Sequence, residues 1–230
     1  MLRLEQVSKL YRKRQEEIAA LQATDLEIPD GDYVAIIGPS GSGKTTLLSL
    51  LGGMLAPTAG KMWIDDESVY DLPIVDRARL RQKKIGFVFQ TFNLVPYMTA
   101  RENVQVPLFL AGTKPAAQQV RATELLESVG LADRMDHKPC ELSTGQQQRV
   151  ALARTLANDP DLILADEPTG NLDPESRQMV LSYFEKFNQD GKTIVMVTHD
   201  IAAARTAQRL MQLSEGVLVE VPYKPILKSA

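Results

Sequence analysis

Cysteine is nearly missing from this sequence. Cys140 stands alone among 230 residues, which excludes an intramolecular disulfide and any multi-cysteine metal centre and suits a reducing compartment. Long apolar runs are missing too. None approaches the roughly 18 residues of a membrane span, and the longest helical candidate, Leu47 to Leu55, is broken by Gly52 and Gly53. The first residues, Met1-Leu2-Arg3-Leu4-Glu5, start straight into a strand-like pattern with none of the layout of a signal peptide, so a cytoplasmic location is expected. A dominant charge is also lacking. A formal net charge of −3 provides no global field for nucleic acid, and no nucleic-acid partner is expected. The one basic cluster, Arg77, Arg79, Arg81, Lys83 and Lys84, is most simply a solvated helix face, with contact to anionic lipid or a partner as the other reading. Apolar residues make up 44% of the chain, enough to bury a sizeable core.

The stretch from Val34 to Thr46 organises the rest. Val34-Ala35-Ile36-Ile37 reads as a buried strand, Gly38-Pro39-Ser40-Gly41-Ser42-Gly43-Lys44-Thr45 fits G-x-x-x-x-G-K-[ST], and Thr46 leads into the helical run Leu47 to Leu51. Gly38, Gly41 and Gly43 can take backbone angles closed to other residues. Successive N–H groups then turn inward and cradle phosphate oxygens at the positive end of the new helix. Lys44 can reach the β- and γ-phosphates, and Thr45 can offer its hydroxyl to Mg²⁺.

Around this loop, residues 2 to 11 and 23 to 28 read as strands forming an antiparallel edge, and Tyr11 is placed either to stack on an adenine ring or simply as a half-buried strand tyrosine. Ile85 to Phe89 is a further buried strand that ends at Gln90, where a ligand of Mg²⁺ or of attacking water belongs. From Thr91 to about Lys114 the sequence changes character, and Phe92 to Met98 is too apolar for an ordinary loop and is expected to pack against something. Residues 116 to 129 form an amphipathic helix. Ser143-Thr144-Gly145-Gln146 has the spacing of a capping box, and the glycine is read as keeping the first-turn N–H groups accessible, a ready anion site. Leu162 to Ala165 is a continuous apolar strand delivering Asp166 and Glu167, two adjacent carboxylates that are costly without a cation or a water-activating task. Asp173 caps a helix that begins at Pro174. His199, one of only two histidines, follows the strand Thr193 to Val197, and the position favours a functional role at the phosphates.

Taken together, these motifs resemble the nucleotide-binding subunit of ATP-binding cassette (ABC) transporters over nearly the whole chain. Gly38 to Thr45 is similar to its Walker A loop, Leu162 to Glu167 to its Walker B strand, Gln90 to its Q-loop, Leu142 to Gln147 to its signature, Asn171 to Asp173 to its D-loop and His199 to its switch histidine. The resemblance implies a P-loop NTPase (RecA-like) α/β core with an antiparallel β edge and an inserted α-helical subdomain. The expected division is a single domain over 1–230, with edge and core in 1–90 and 160–230 and the helical subdomain in 91–159.

It further implies a head-to-tail dimer, of two copies or with a paralogous subunit, that sandwiches ATP. Lys44 would clamp the β- and γ-phosphates, Thr45 and Gln90 would hold Mg²⁺ with Asp166 acting through water, Glu167 would polarise the attacking water, and His199 would contact the γ-phosphate. Ser143, Gly145 and Gln146 would meet the partner's ATP, Asp173 would belong to the same nucleotide site, and Tyr11 would stack on adenine. The family pattern has two glycines after its serine; here the first is Thr144. Gly86 to Leu94, Thr99 to Val104 and Asp166 to Asp173 are similar to the lipoprotein-release, macrolide-efflux and antimicrobial-peptide-resistance branch. That likeness implies an exporter or extraction system, peripheral on the inner face of the membrane, whose membrane-spanning subunit docks a coupling helix near residues 91–110. A soluble ABC-type ATPase acting on DNA or ribosomes is the competing reading. The 53 residues from Gln90 to Ser143 leave no room for long coiled-coil arms, and a single cassette without a basic extension disfavours the ribosome-acting kind.

Overall fold

The computed structural model describes residues 1–13 and 16–222, so the end of the segment expected to run to residue 230 lies outside the described residues. The chain opens with a long antiparallel hairpin, β1 (Leu2–Lys13) and β2 (Glu16–Ile28). Leu2, Leu4, Val7, Leu21, Leu26 and Ile28 bury its inner face. Next, β3 (Tyr33–Ile37) runs into the glycine-rich turn and α1 (Lys44–Leu51). Two short strands, β4 (Ala59–Ile64) and β5 (Glu67–Ser68), return to the hairpin and complete a four-stranded sheet ordered β2-β1-β4-β5. The expected antiparallel edge is thus a sheet of its own. β2 begins well before residue 23: in residues 16 to 22 the apolar run Ile18-Ala19-Ala20-Leu21 lacks the alternation that marks a half-buried strand.

The helix α2 (Ile74–Lys84) leads into β6 (Ile85–Phe89). Three helices follow, α3 (Ala100–Leu110), α4 (Pro115–Ser128) and α5 (Thr144–Thr155), and they pack around Val104, Ala122, Leu126, Val129 and Val150. The chain then returns through β7 (Leu162–Asp166), α6 (Pro174–Gln189), β8 (Thr193–Thr198), α7 (Ile201–Ala204), β9 (Arg209–Ser214) and β10 (Val217–Val221). The second sheet is ordered β10-β9-β3-β8-β7-β6, parallel throughout except for β10. Its central strands are buried on both faces, as continuous apolar runs in parallel sheets require. Parallel pairing also puts the carboxyl ends of β3, β6, β7 and β8 side by side, where α/β sheets bind their ligands.

One expectation changes and another is met in part. The basic cluster on α2 is partly built into the fold: Arg77 lies over the Tyr70 ring, Arg81 donates to the Gly53 carbonyl at 2.9 Å, and Lys84 bridges Asp65 and Asp161. Arg79 and Lys83 alone of the five are exposed. In the apolar segment after Gln90, Phe92 and Leu94 pack against the protein's own cores, leaving Tyr97, Phe109 and Leu110 exposed. Fully buried Asn103 pins this segment, accepting from Val95 N and donating to the carbonyls of Val95, Met98 and Thr99.

The contact that seats α5 on the sheet is at Gly86. A Cβ there would lie 2.6 Å from Thr155 Cγ2 and 2.9 Å from the Thr155 carbonyl oxygen, while Thr155 Oγ1 donates to Phe87 O at 2.7 Å. Gly86→Ala is expected to lower stability by about 1–3 kcal/mol through overpacking at this seam, read by urea denaturation.

Candidate functional site

Four strand ends build one cleft. It has a volume of about 780 Å³ and is lined by Tyr11, Ile18, Ala20, Ser40, Gly41, Gly43, Lys44, Thr45, Thr46, Gln90, Asp166, Glu167 and His199. Gly38, Pro39 and Ser42, also predicted, belong to the same turn without lining the cleft; Pro39 is exposed and Ser42 buried. The turn is possible only with glycine at its two ends. A Cβ on Gly38 would overlap the Leu213 carbonyl oxygen, and one on Gly43, at φ 103°, would overlap that of Ala20. The hairpin and β9 therefore press the loop into shape. Lys44 Nζ donates to the carbonyls of Gly38 and Pro39 at 2.8 and 3.0 Å, which holds the ammonium over the turn.

The acidic side of the cleft is organised by β7. Asp166 Oδ2 accepts from Thr45 Oγ1 at 3.2 Å. Burial pushes the Asp166 carboxyl up from its ordinary range; the Thr45 hydroxyl opposes this, the neighbouring Glu167 adds to it, and Lys44 opposes it. Glu167 sits in the left-handed region at φ 46°, costly for a residue with a Cβ and stabilised by its own contacts. Its amide donates to Val197 O at 2.9 Å, and its carboxylate accepts from Thr198 Oγ1 at 3.0 Å and His199 N at 3.2 Å. His199 Nδ1 is 2.9 Å from Glu167 Oε1, so an Nδ1 proton donated there leaves Nε2 as the free nitrogen. The Glu167 side chain is 14% exposed and that of His199 67%, so the carboxylate is held inside while the imidazole faces the opening.

Gln90 is exposed just past β6, and its carbonyl accepts from Asn171 Nδ2 at 3.1 Å. Tyr11 is 41% exposed at the mouth, with Lys9 Nζ 5.4 Å from its ring centroid. That exposure fits both sequence readings of Tyr11. Its register partner Ile18 and nearby Ala20 extend the apolar wall. These two were invisible in the sequence, since nothing local to residues 16 to 22 marks them as lining a cleft. Asp200 was also missed. Its carboxylate caps α7 through Ala202 N and Ala203 N and pairs with Arg177 at 3.1 Å, fixing the backbone beside His199; an aspartate before Ile-Ala-Ala-Ala is the signal that points to it.

The donor set fits Mg²⁺. Thr45, Asp166 and Gln90 offer hard oxygen atoms in one cleft, and no cluster of three His, Cys, Asp or Glu side chains able to cage a metal occurs among the described residues. A site with few protein ligands is one that nucleotide phosphates and water complete.

Ser143, Gly145, Gln146 and Asp173 are not brought to this cleft. With Arg149, Glu175, Ser176 and Met179 they line a separate one of about 260 Å³. Ser143 and Gln146 form the expected capping box at 3.2 and 2.9 Å. Gly145 lines this cleft and also serves packing: it is buried, and a Cβ would run into Ser176 Oγ, so glycine allows the close approach of α5 to α6. Thr144 is exposed. Asp173 caps α6, accepting from Glu175 N and Ser176 N, and the Ser176 contacts hold its carboxyl below the usual range.

Residues 21–170 match the family described as ABC transporter. The chain belongs to that family. It is 47% identical over 94% of its length to an uncharacterized ABC transporter ATP-binding protein of Thermotoga maritima, of which 92% is covered. It is 46% identical to the ABC transporter ATP-binding protein MJ0796 of Methanocaldococcus jannaschii, covering 94% of each chain. A macrolide export ATP-binding/permease protein of Syntrophobacter fumaroxidans is 46% identical over 95% of this chain, which spans 31% of that longer protein. Among solved structures, a dimeric post-hydrolysis state of the cassette MJ0796 bound to ADP and Pi superposes with a TM-score of 0.88 at 42% identity, covering 97% of this chain and 100% of that one. The cassette fold and the macrolide-export likeness read from the residues both stand.

Because burial raises the Asp166 pKa, its ionisation opposes folding: the stabilisation is full below the unfolded-state pKa and is lost as pH rises through the folded-state pKa. Asp166→Asn is therefore expected to raise the melting temperature at pH 7 without nucleotide by about 1–3 °C, a figure reduced for the partial exposure of the carboxylate. Calorimetry in metal-free buffer checks it; a fall in melting temperature contradicts the electrostatic account.

Proposed function

We propose that this chain binds and hydrolyses ATP as the energy-coupling subunit of a membrane exporter or extraction system, acting on lipid-linked, peptide or other hydrophobic substrates. The observation that carries the reading is the separation of the two clefts. The loop cleft and the Ser143 cleft share no lining residue, so one copy offers a phosphate cradle at one place and a capped helix N-terminus at another. Two copies joined head to tail would each complete the other's site, and the dimeric MJ0796 cassettes support this arrangement.

Within such a site the loop amides and Lys44 hold the β- and γ-phosphates, and Tyr11 stacks on the base. Thr45, Gln90 and, through water, Asp166 would hold Mg²⁺, whose charge offsets that developing on the transferred phosphoryl group. Glu167, kept inward by Thr198 and His199, orients the attacking water in line. His199 meets the γ-phosphate through its outer nitrogen. Ser143, Gly145 and Gln146 close the site from the partner, with Asp173 fixing α6 beside them. Phosphoryl transfer needs positioning and charge stabilisation more than covalent chemistry, and these residues supply both.

The helices within residues 91–159 act as a lobe inserted in the core of 1–90 and 160–230. Against it lies a groove of about 770 Å³ whose walls include Met54, Val75, Phe89, Val106 and Leu110. α2 supplies one wall, which its charged sequence conceals. The groove and the exposed Tyr97, Phe109 and Leu110 suit the coupling helix of a membrane-spanning subunit, which would hold the chain at the inner face of the membrane. No described helix is itself long and apolar enough to cross one.

Glu167→Gln is expected to cut ATP hydrolysis by about 100-fold or more and to accumulate as a dimer on size exclusion in ATP and Mg²⁺. Adding Ser143→Arg to Glu167→Gln should abolish the dimer while leaving nucleotide binding intact. Hydrolysis by Glu167→Gln at the wild-type rate, or a dimer indifferent to Ser143→Arg, overturns the shared site.

A further inference from the structure

Arg154 has no part in the reading above, yet it makes unusually specific contacts. It occupies the last turn of α5, and its guanidinium reaches across to the chain just beyond Gln90. Nη1 donates to Asn93 O and Nη2 to Phe92 O, both at 2.6 Å. Phe92 and Asn93 are themselves left-handed, at φ 57° and 49°, successive non-glycine residues in a conformation that sterics disfavour. No carboxylate pairs with Arg154 among the described residues, and burial alone pulls its pKa down. A half-buried cation with no counter-anion is costly to keep, and here its hydrogen bonds on this side go to two consecutive carbonyls.

We propose that Arg154 is the positioning residue for Gln90: by fixing the two left-handed residues that follow Gln90, it sets where the Gln90 carboxamide stands in the nucleotide cleft. The inference rests on the reading of Gln90 as a ligand of nucleotide-bound Mg²⁺. The segment that carries Gln90 is tied at three points. At its start it continues β6; Asn171 Nδ2 holds the Gln90 carbonyl at 3.1 Å; Arg154 holds the far end. Within the turn, Phe92 N reaches Phe89 O at 3.3 Å, Asn93 N donates to Thr91 O at 2.6 Å and Thr91 Oγ1 to Asn93 Oδ1 at 2.9 Å; Arg154 is the contact that ties this locally bonded turn to α5. The planar fork of arginine matches two adjacent carbonyl oxygens, a geometry the single ammonium of lysine cannot reproduce.

The base of the fork is fixed as well. Thr155, next in sequence, donates to Phe87 O on β6, so the guanidinium is referenced to the same strand that delivers Gln90. Arg154 and Asn93 also line the groove assigned to the membrane subunit. A segment docking there would therefore touch the residue that places Gln90. The helix that bears Arg154 begins at Ser143, at the other cleft.

The test uses the full chain as wild type, Gln90→Ala, Arg154→Met, Arg154→Lys and the double variant Gln90→Ala/Arg154→Met, normalised to folded fraction by circular dichroism. ATP hydrolysis is titrated with Mg²⁺, and amide hydrogen exchange is followed over residues 90–95 and over α5. Arg154→Met is expected to raise the Mg²⁺ half-saturation about tenfold, as loss of a group that orients a metal ligand does. Arg154→Lys should fall between it and wild type. In the Gln90→Ala background, Arg154→Met should add less than about twofold, because the two act through one path. Exchange should quicken over residues 90–95 and stay unchanged over α5. An unchanged Mg²⁺ half-saturation, a full Arg154→Met effect in the Gln90→Ala background, or unchanged exchange at residues 90–95 overturns the proposal. If Gln90→Ala itself leaves the Mg²⁺ dependence at the wild-type value, the reading of Gln90 has failed and the proposal falls with it, a result distinct from failure at Arg154. Should Arg154→Met not fold, Arg154→Lys carries the same comparison.

Discussion

Backbone amides can be aimed at one point where glycines free the chain at its tight positions and neighbouring segments press it from behind. Both conditions meet between Gly38 and Lys44. The Ala20 carbonyl of the hairpin and the Leu213 carbonyl of β9 leave no room for a Cβ at Gly43 or Gly38, so two separate sheets enforce the turn. The placement of Lys44 and Thr45 at the start of α1 follows from it, and Thr45 in turn meets Asp166 across the cleft. A loop shaped by its surroundings needs little reorganisation to receive phosphate, which is what electrostatic catalysis asks of a site.

The acidic half of the cleft shows how the fold holds unfavourable charge. Asp166 and Glu167 are adjacent in sequence, but the left-handed backbone at Glu167 turns the second carboxylate toward Thr198 and His199 while the first stays with Thr45. One carboxylate is satisfied by fixed hydrogen bonds and the other is strained by burial, with its pKa pushed up. The two carboxylates thereby sit in different environments. His199, mostly exposed yet anchored by Glu167 and by the Asp200 cap behind it, is the group best placed to respond to what enters.

Much of this was legible from residue order because it is local. The glycine spacing from Gly38 to Gly43, the Ser143 and Gln146 capping box, the Asp173 cap before Pro174 and the continuous apolar strand before Asp166 each state their own structure within a few residues. What was not legible depends on partners far away in the chain. The basic residues of α2 marked a helix face but not what it packs on, since Leu80 is its one buried residue and yields no periodicity. The close approach of Gly145 to Ser176 is a packing contact that no spacing rule reveals. Ile18 and Ala20 line the cleft only because the hairpin folds back over the loop.

The sequence by itself determined the chemistry: a phosphate turn, two carboxylates and a histidine at strand ends, a capped helix and a family in which these occur together. Hydrogen bonds between near neighbours and the backbone limits of glycine are enough to decide such features. Tertiary structure alone decided which of them share a cleft. It set Ser143 and Asp173 apart from Lys44 and Glu167, turned Gly86 into the seat of α5, and laid Arg154 on the carbonyls of Phe92 and Asn93. Those outcomes rest on close packing between segments more than sixty residues apart, where the shape of the whole core, and not the neighbouring residues, fixes who meets whom.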